Sequence, residues 1–342
     1  MLTIRQAGLC SRGAVTAITL ENENHMRVTL LSYGATVQSI VVPDRSGTPV
    51  DVLLGYETAE EYEAHDGYFG ACIGRNGNRI AGASFRLNGV PFRLTANEGE
   101  NQLHGGLCGL DKKLWSFRCE TDRSVTFETV LADGEEGYPG RMEIAVTYTL
   151  DEENGLHIDY RAVSNRDTVA NLTNHSYFNL NGQGSGDVLG HTLRLDADAF
   201  TPADAQTLPT GEILPVDGTC MDFRAAKAIG RDIADAMLAP FCGYDTNLCL
   251  NGAGLRCIAE AKGDRSGIVM QVETTMEGVQ LYTGNFISPR TGKAGAQYAA
   301  YSGFCLETQH YPDAINQPAF PSPVLRAGER LHETTIYRFR AE

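Results

Sequence analysis

Apolar and polar residues alternate with period two along much of the chain, and this constrains the fold more than any other feature. The clearest run is Met142-Glu143-Ile144-Ala145-Val146-Thr147-Tyr148-Thr149-Leu150. A polar loop at 151–155 then leads into 156–160 as the second arm of a hairpin. Similar runs cover 124–130, 191–196, 255–261, 268–273, 279–283 and 334–339, and a longer one spans 28–42 up to a turn at 45–47. They are rich in Val, Thr, Ile and Tyr and are bounded by Gly, Asn and Asp, which accept tight turns. Helical pattern is confined to two short stretches. One is 58–63, with Thr58 as N-cap and Glu61 completing a capping box. The other is 231–238, stopped by Pro240. Two helices are too few to connect strands in parallel. The expected fold is all-β, one large antiparallel domain over residues 1–342 with few short helices.

Charge and cysteine usage narrow the function. The 28 Lys and Arg against 43 Asp and Glu give a formal charge of −15, which disfavours nucleic acid and anionic membranes as partners. No apolar run reaches the ~18 residues of a membrane-spanning helix. The nine cysteines include no Cys-x-x-Cys pair, which argues against a zinc site and a disulfide framework and for reduced thiols in the cytoplasm. Gly182-Gln183-Gly184-Ser185-Gly186 lacks the strand before it and the helix after it that a phosphate-binding loop requires, and reads as a surface turn.

Four polar clusters interrupt the alternation. They are Gly74-Arg75-Asn76-Gly77-Asn78-Arg79-Ile80, Asn101-Gln102-Leu103-His104-Gly105-Gly106, the stretch 171–180 with three asparagines around His175, and 307–316, which opens with Glu307 after an apolar strand-like stretch. Asparagines in such places often cap backbone, and a single histidine is more often structural than catalytic. The same residues also suit a site where an imidazole and a carboxylate exchange protons. Glu307 and His310 are three apart, so only an irregular turn brings both to one place.

Six motifs in order give a specific resemblance. Gly-Arg-x-x-Asn-Arg-Ile at 74–80, Leu-His-Gly-Gly at 103–106, Glu-Gly-Tyr-Pro-Gly at 136–140, Asn-His-x-Tyr-Phe-Asn-Leu at 174–180, Gln-Leu-Tyr-Thr-Gly-Asn at 280–285 and Glu-Thr-Gln-His-Tyr-Pro-Asp-Ala-x-Asn at 307–316 together resemble the aldose 1-epimerase (galactose mutarotase) family. The resemblance implies a large antiparallel β-sandwich with an open sugar cleft. It implies Glu307 as general base and His175 as general acid. It further implies Asn78, Arg79, His104, Asp245 and Gln280 as ligands of sugar hydroxyls, with Tyr177 beside them. The substrate is then a free aldose such as galactose or glucose, the protein a monomer or homodimer, and no cofactor or metal is needed. Two positions depart from the family pattern. Gly77 replaces a more usual Ala, and Leu248 stands where an aromatic is common, which implies a change in cleft shape or sugar preference.

Anomer interconversion explains the residue types. The anomeric hydroxyl must lose a proton while the ring oxygen gains one, so a carboxylate and an imidazolium suffice. Proximity of Glu307 and His175 is expected to favour that charged pair, and Asp245 to lie where it can orient one of the two imidazoles. Competing readings are a glycoside hydrolase using Glu307 with Asp245, a non-catalytic sugar-binding protein on the same fold, and an epimerase of hexose phosphates.

Overall fold

The computed structural model describes residues 1–342. Antiparallel strands dominate, and the only α-helix is Ala59–Ala64. Thr58 caps it, and Glu61 returns the bond to the Thr58 backbone, so the capping box forms as expected. The 231–238 stretch is not a helix. Ile229–Asp232 makes one 3-10 turn and the chain continues in turns to Ala239–Phe241. Its apolar residues, Ile233 and Leu238, pack onto the core from these turns.

Three sheets carry the architecture. A five-stranded meander runs Leu2–Cys10, Gly13–Glu21, Arg27–Leu31, Thr36–Pro43, Pro49–Asp51. The 28–42 run is thus two strands rather than one, because the chain reverses at Gly34 and Ala35, both with positive φ. A nine-stranded sheet begins with Ser116–Thr121, Ser124–Leu131, Met142–Leu150 and Gly155–Ser164, and continues through Arg330–Ala341, Ile268–Thr274 and Arg256–Lys262. A second five-stranded sheet has the order Leu214–Pro215, Ala197–Thr201, Asp245–Leu250, Gly278–Tyr282, Cys305–Gln309. One continuous apolar core joins all three and includes Trp115. The arrangement is the antiparallel β-sandwich expected.

The second five-stranded sheet positions the polar residues of interest. Asn247 pairs with Gln280, which pairs with Glu307, and Asp245 pairs with Tyr282, which pairs with Cys305. Side chains alternate across a strand, so these six share one face. The opposite face carries Leu248, Val279, Leu281 and Leu306 into the core. Thr308 on that face hydrogen-bonds Thr335 of the nine-stranded sheet at 2.6 Å. Leu248 therefore points away from Asp245 and does not shape a cleft on the polar face. It is 1% exposed and acts as a core residue. Leu248→Ala is expected to lower unfolding free energy by ~2–5 kcal/mol, read from urea melts, as for other buried leucines.

Candidate active site

A cavity of about 310 Å³ opens over this polar face. Seven of the eight residues expected at the site line it: Asn78, Arg79, His104, His175, Tyr177, Asp245 and Glu307. The eighth, Gln280, does not line it. Its amide nitrogen donates to Asp245 Oδ1 at 2.6 Å from beneath, so it braces a cavity residue. His310 turns away, as its odd spacing from Glu307 allows, and meets Glu277 at 2.5 Å.

The asparagines around His175 fasten its segment. Asn171 accepts from the His310 N–H and donates to the Gly77 carbonyl. Asn174 donates to the Gly70 carbonyl, and Asn179 to those of Gly186 and Ser302. Asn171 and Asn174 are both buried. Both readings of this stretch hold together: the asparagines cap backbone, and the histidine they hold faces the cavity. Tyr177 stacks on the His175 ring at 4.8 Å, and Tyr68 lies nearly parallel to it at 5.8 Å.

Two loops bring in the remaining groups. The Arg79 guanidinium is held by both oxygens of Glu98, at 2.6 and 2.8 Å. Asn78 and His104 both adopt positive φ, and their backbones interlock: the His104 N–H donates to the Asn78 carbonyl. The Asn78 N–H donates in turn to His104 Nδ1 at 3.1 Å. This fixes His104 as the neutral tautomer with its proton on Nε2. Gly105 must follow, because a Cβ there would stand 2.0 Å from the Gly74 carbonyl oxygen.

His175 Nε2 lies 3.6 Å from Glu307 Oε1, too far for a direct hydrogen bond. Glu307 Oε2 is buried with no protein partner. Burial, and secondarily the charge of Asp245, pushes the Glu307 carboxyl well above its usual range, with Arg79 opposing. Burial also pushes the His175 imidazole down to about 3. Both groups are therefore drawn to their neutral forms. The charged pair expected from proximity alone is disfavoured, because desolvation outweighs attraction across that gap. Asp245 orients neither imidazole: its partner is Gln280, and burial raises its own carboxyl.

His104, His175 and Glu307 also place ligand-capable atoms within 4.8 Å of one another. As a metal site the trio fits poorly. His104 Nε2 carries the proton, and coordination there would break the bond from Asn78.

Sequence reasoning did not single out Glu98, Tyr68, Phe69, Tyr282, Phe286 or Arg290, all of which line the cavity. Tyr282 was accessible from the two-residue period, since it shares a face with Gln280. Glu98 carried no signal, because its pairing with Arg79 depends on how two loops meet.

The aldose 1-epimerase family model matches residues 16–338. The chain is 45% identical to galactose mutarotase from Bos taurus over 329 residues, covering 96% of this chain and 94% of that one. It is 37% identical to aldose 1-epimerase from Escherichia coli strain K12, covering 95% of each. The crystal structure of an aldose epimerase homologue from C. elegans superposes with a TM-score of 0.90 at 31% identity, covering 96% of this chain and 99% of that one. Galactose 1-epimerase from Lactobacillus acidophilus NCFM gives 0.88 at 28% identity, covering 100% and 99%.

The raised Glu307 carboxyl has a consequence for stability. The folded protein keeps a proton that the unfolded chain releases above about pH 4.5, so this group's contribution falls as pH rises through that value. Glu307→Gln is expected to be more stable than the parent at pH 7, by ~1–3 kcal/mol, with the gain shrinking toward pH 4. Urea melts at the two pH values decide it.

Proposed function

This chain belongs to the aldose 1-epimerase family and interconverts the α and β anomers of aldoses, and we propose that Glu307 and His175 carry the two proton transfers involved. The observation that supports this pairing is a buried carboxylate oxygen without a protein partner, facing a cavity, with an imidazole nitrogen 3.6 Å from its other oxygen. Glu307 takes the proton of the anomeric hydroxyl while His175 protonates the ring oxygen. The pyranose opens, the aldehyde turns about the C1–C2 bond, and the ring recloses on its other face with the protons returned. Nothing is oxidised, so the chemistry requires no redox cofactor.

The neutral pair and the ion pair hold the same number of protons. A sugar entering the cavity offers hydroxyl donors to the carboxylate, which lowers its cost of ionisation. The proton can then pass from Glu307 to His175 without exchange with solvent. Asn78, Arg79, His104 and Asp245 bind the other hydroxyls, with Gln280 holding Asp245 in place and Tyr177 holding the imidazole flat. His104 contributes as a fixed Nε2–H donor.

Galactose and glucose are the proposed substrates, in unphosphorylated form. The lining holds four carboxylates (Asp66, Glu98, Asp245, Glu307) against two guanidiniums, Arg79 and Arg290. Each guanidinium is already engaged, by Glu98 and by Asp66. No cation is left over for a phosphate. A glycoside hydrolase using Glu307 and Asp245 would leave His175 without a part. The proposed working unit is a monomer or a homodimer. The continuous core supports one domain over residues 1–342. Nine unpaired thiols support a cytoplasmic setting, and no helix is long and apolar enough to cross a membrane.

Optical rotation of freshly dissolved α-D-galactose and α-D-glucose tests the assignment. The parent should speed relaxation to an unchanged final rotation. Glu307→Gln and His175→Asn should each lower kcat by ~10²–10⁴-fold. Parental rates in either variant would remove that residue from the mechanism, and release of an aglycone from aryl galactosides would favour hydrolysis instead.

A further inference from the structure

The protein engages the two cavity guanidiniums to different degrees. Every nitrogen of Arg290 has a protein acceptor. Its Nε donates to the Ser288 carbonyl, its Nη2 to the Ser288 hydroxyl, and its Nη1 to the Tyr56 hydroxyl and to Asp66. Arg79 gives only its Nε and Nη2 to protein, both to Glu98, at 2.6 and 2.8 Å. Its Nη1 end donates to no protein group, and Arg79 and Glu98 both line the cavity. We propose that Glu98 is a specificity-determining residue that acts through Arg79. It fixes the guanidinium with the Nη1 end free for the sugar and cancels its charge, so that the cavity takes uncharged aldoses and turns away sugar acids. The proposal rests on the epimerase reading of the site and deepens it.

An arginine brings two things to a sugar site. Its N–H groups point in fixed directions, and its charge is permanent, so a free guanidinium attracts any anion. A neutral sugar needs the directions and not the charge. A bidentate carboxylate separates the two: it locks one edge of the fork, leaves the other edge its donors, and makes the pair neutral. No other group in the cavity can do both. Asp245 and Glu307 act on Arg79 through space, but Asp245 takes its hydrogen bond from Gln280 and Glu307 accepts none from the guanidinium. Burial draws both of these carboxyls toward their neutral forms, which weakens them as counter-charges. His104 is neutral and adds no charge beside Arg79.

The backbone holds Glu98 where this role requires it. Arg79 pairs with Leu103 in a short antiparallel ladder of Arg79–Ile80 with Gln102–Leu103. A tight turn precedes Gln102. In it the Glu98 N–H donates to the Asn101 carbonyl at 3.2 Å, and the Asn101 N–H returns to the Glu98 carbonyl at 2.9 Å. Gly99 allows the turn with a φ of 59°. Asn97 clamps its base, donating to the Leu103 carbonyl and accepting from the Leu103 N–H. The carboxylate therefore meets Arg79 from a fixed support. Its side chain is 37% exposed against 11% for Arg79, so it stands on the solvent side of the guanidinium, where an entering anion meets it first.

One pair of sugars and two variants test this. At pH 7 D-galacturonate carries an ionised carboxylate where galactose has its C6 hydroxymethyl group. Calorimetric titration of the parent with each sugar, beside optical rotation, needs no variant to fold. Galacturonate should bind at least ~10-fold more weakly than galactose. Glu98→Gln keeps one acceptor and drops the charge. It should raise KM for galactose ~10-fold with a smaller fall in kcat, and narrow the gap between the two sugars ~10-fold. Glu98→Asp keeps the charge on a shorter stem. It should raise KM for galactose while still turning galacturonate away. A parent that binds both sugars equally overturns the proposal, as does Glu98→Gln with the parental preference. Parental KM values for galactose in both variants overturn it too, and so does a gap that narrows as much in Glu98→Asp as in Glu98→Gln. A parent that leaves the rotation of galactose unaccelerated sinks the epimerase reading instead, while the calorimetric preference still decides the role of Glu98.

Discussion

Backbone pairing among Asp245–Leu250, Gly278–Tyr282 and Cys305–Gln309 sets almost everything else. Each strand must satisfy two environments at once, an apolar core on one side and a sugar-sized polar hollow on the other. Leu248, Val279, Leu281 and Leu306 supply the first. Asp245, Gln280 and Glu307 occupy the second, Gln280 paired with Glu307 and Asp245 one position diagonal to Gln280, a placement that no loop could hold as rigidly. Loops then add what a sheet cannot. The 74–80 and 101–106 segments carry donors on backbone turned through positive φ, and the 171–180 segment lays His175 across the top. The sheet gives precision and the loops give reach, which is the usual division of labour at a binding site.

Desolvation governs the electrostatics that follow. Glu307 is buried with one oxygen that no protein group bonds, a condition that costs stability. Burial moves the carboxyl and the imidazole in opposite directions, and both movements favour uncharged groups. The hollow thus stores a proton in the pair and lacks only hydroxyl groups to redistribute it. A sugar is a suitable occupant because it brings donors and acceptors at every carbon. The acidic lining, with its two guanidiniums already engaged, fits a neutral polyol better than an anion.

Much of the fold was legible because period-two patterning reports directly on burial. Met142–Leu150 buries alternate residues as its sequence implies. The N-terminal strands, Leu2–Cys10 among them, were harder, since an edge strand exposed along most of its length has no clear alternation. The 231–238 stretch misled because its apolar residues repeat at a helical interval, while the chain there is tied down by contacts to the core. Within the site, the residues on motifs were legible and the braces were not. Arg79 stood in a recognisable motif, but Glu98 pairs with it across 19 positions and two loops. Gln280 was placed in the right neighbourhood with a different duty, because one residue's hydrogen-bond partner is a tertiary fact. The expectation of an ion pair failed for a similar reason: sequence shows which groups meet, while burial decides which protonation state they keep.

The shared register of the three strands makes the protein its own quality gauge. A slip of one residue in any of them would turn carboxylate and amide into the core and leucine into the hollow. Such a chain could not retain a part of its cavity, because the cavity-facing groups and the core-forming groups occupy alternate positions on the same short segments. Specific activity of the unaltered chain therefore counts correctly assembled molecules, and a refolded sample of it that is half as active per milligram is better read as half misassembled than as uniformly impaired.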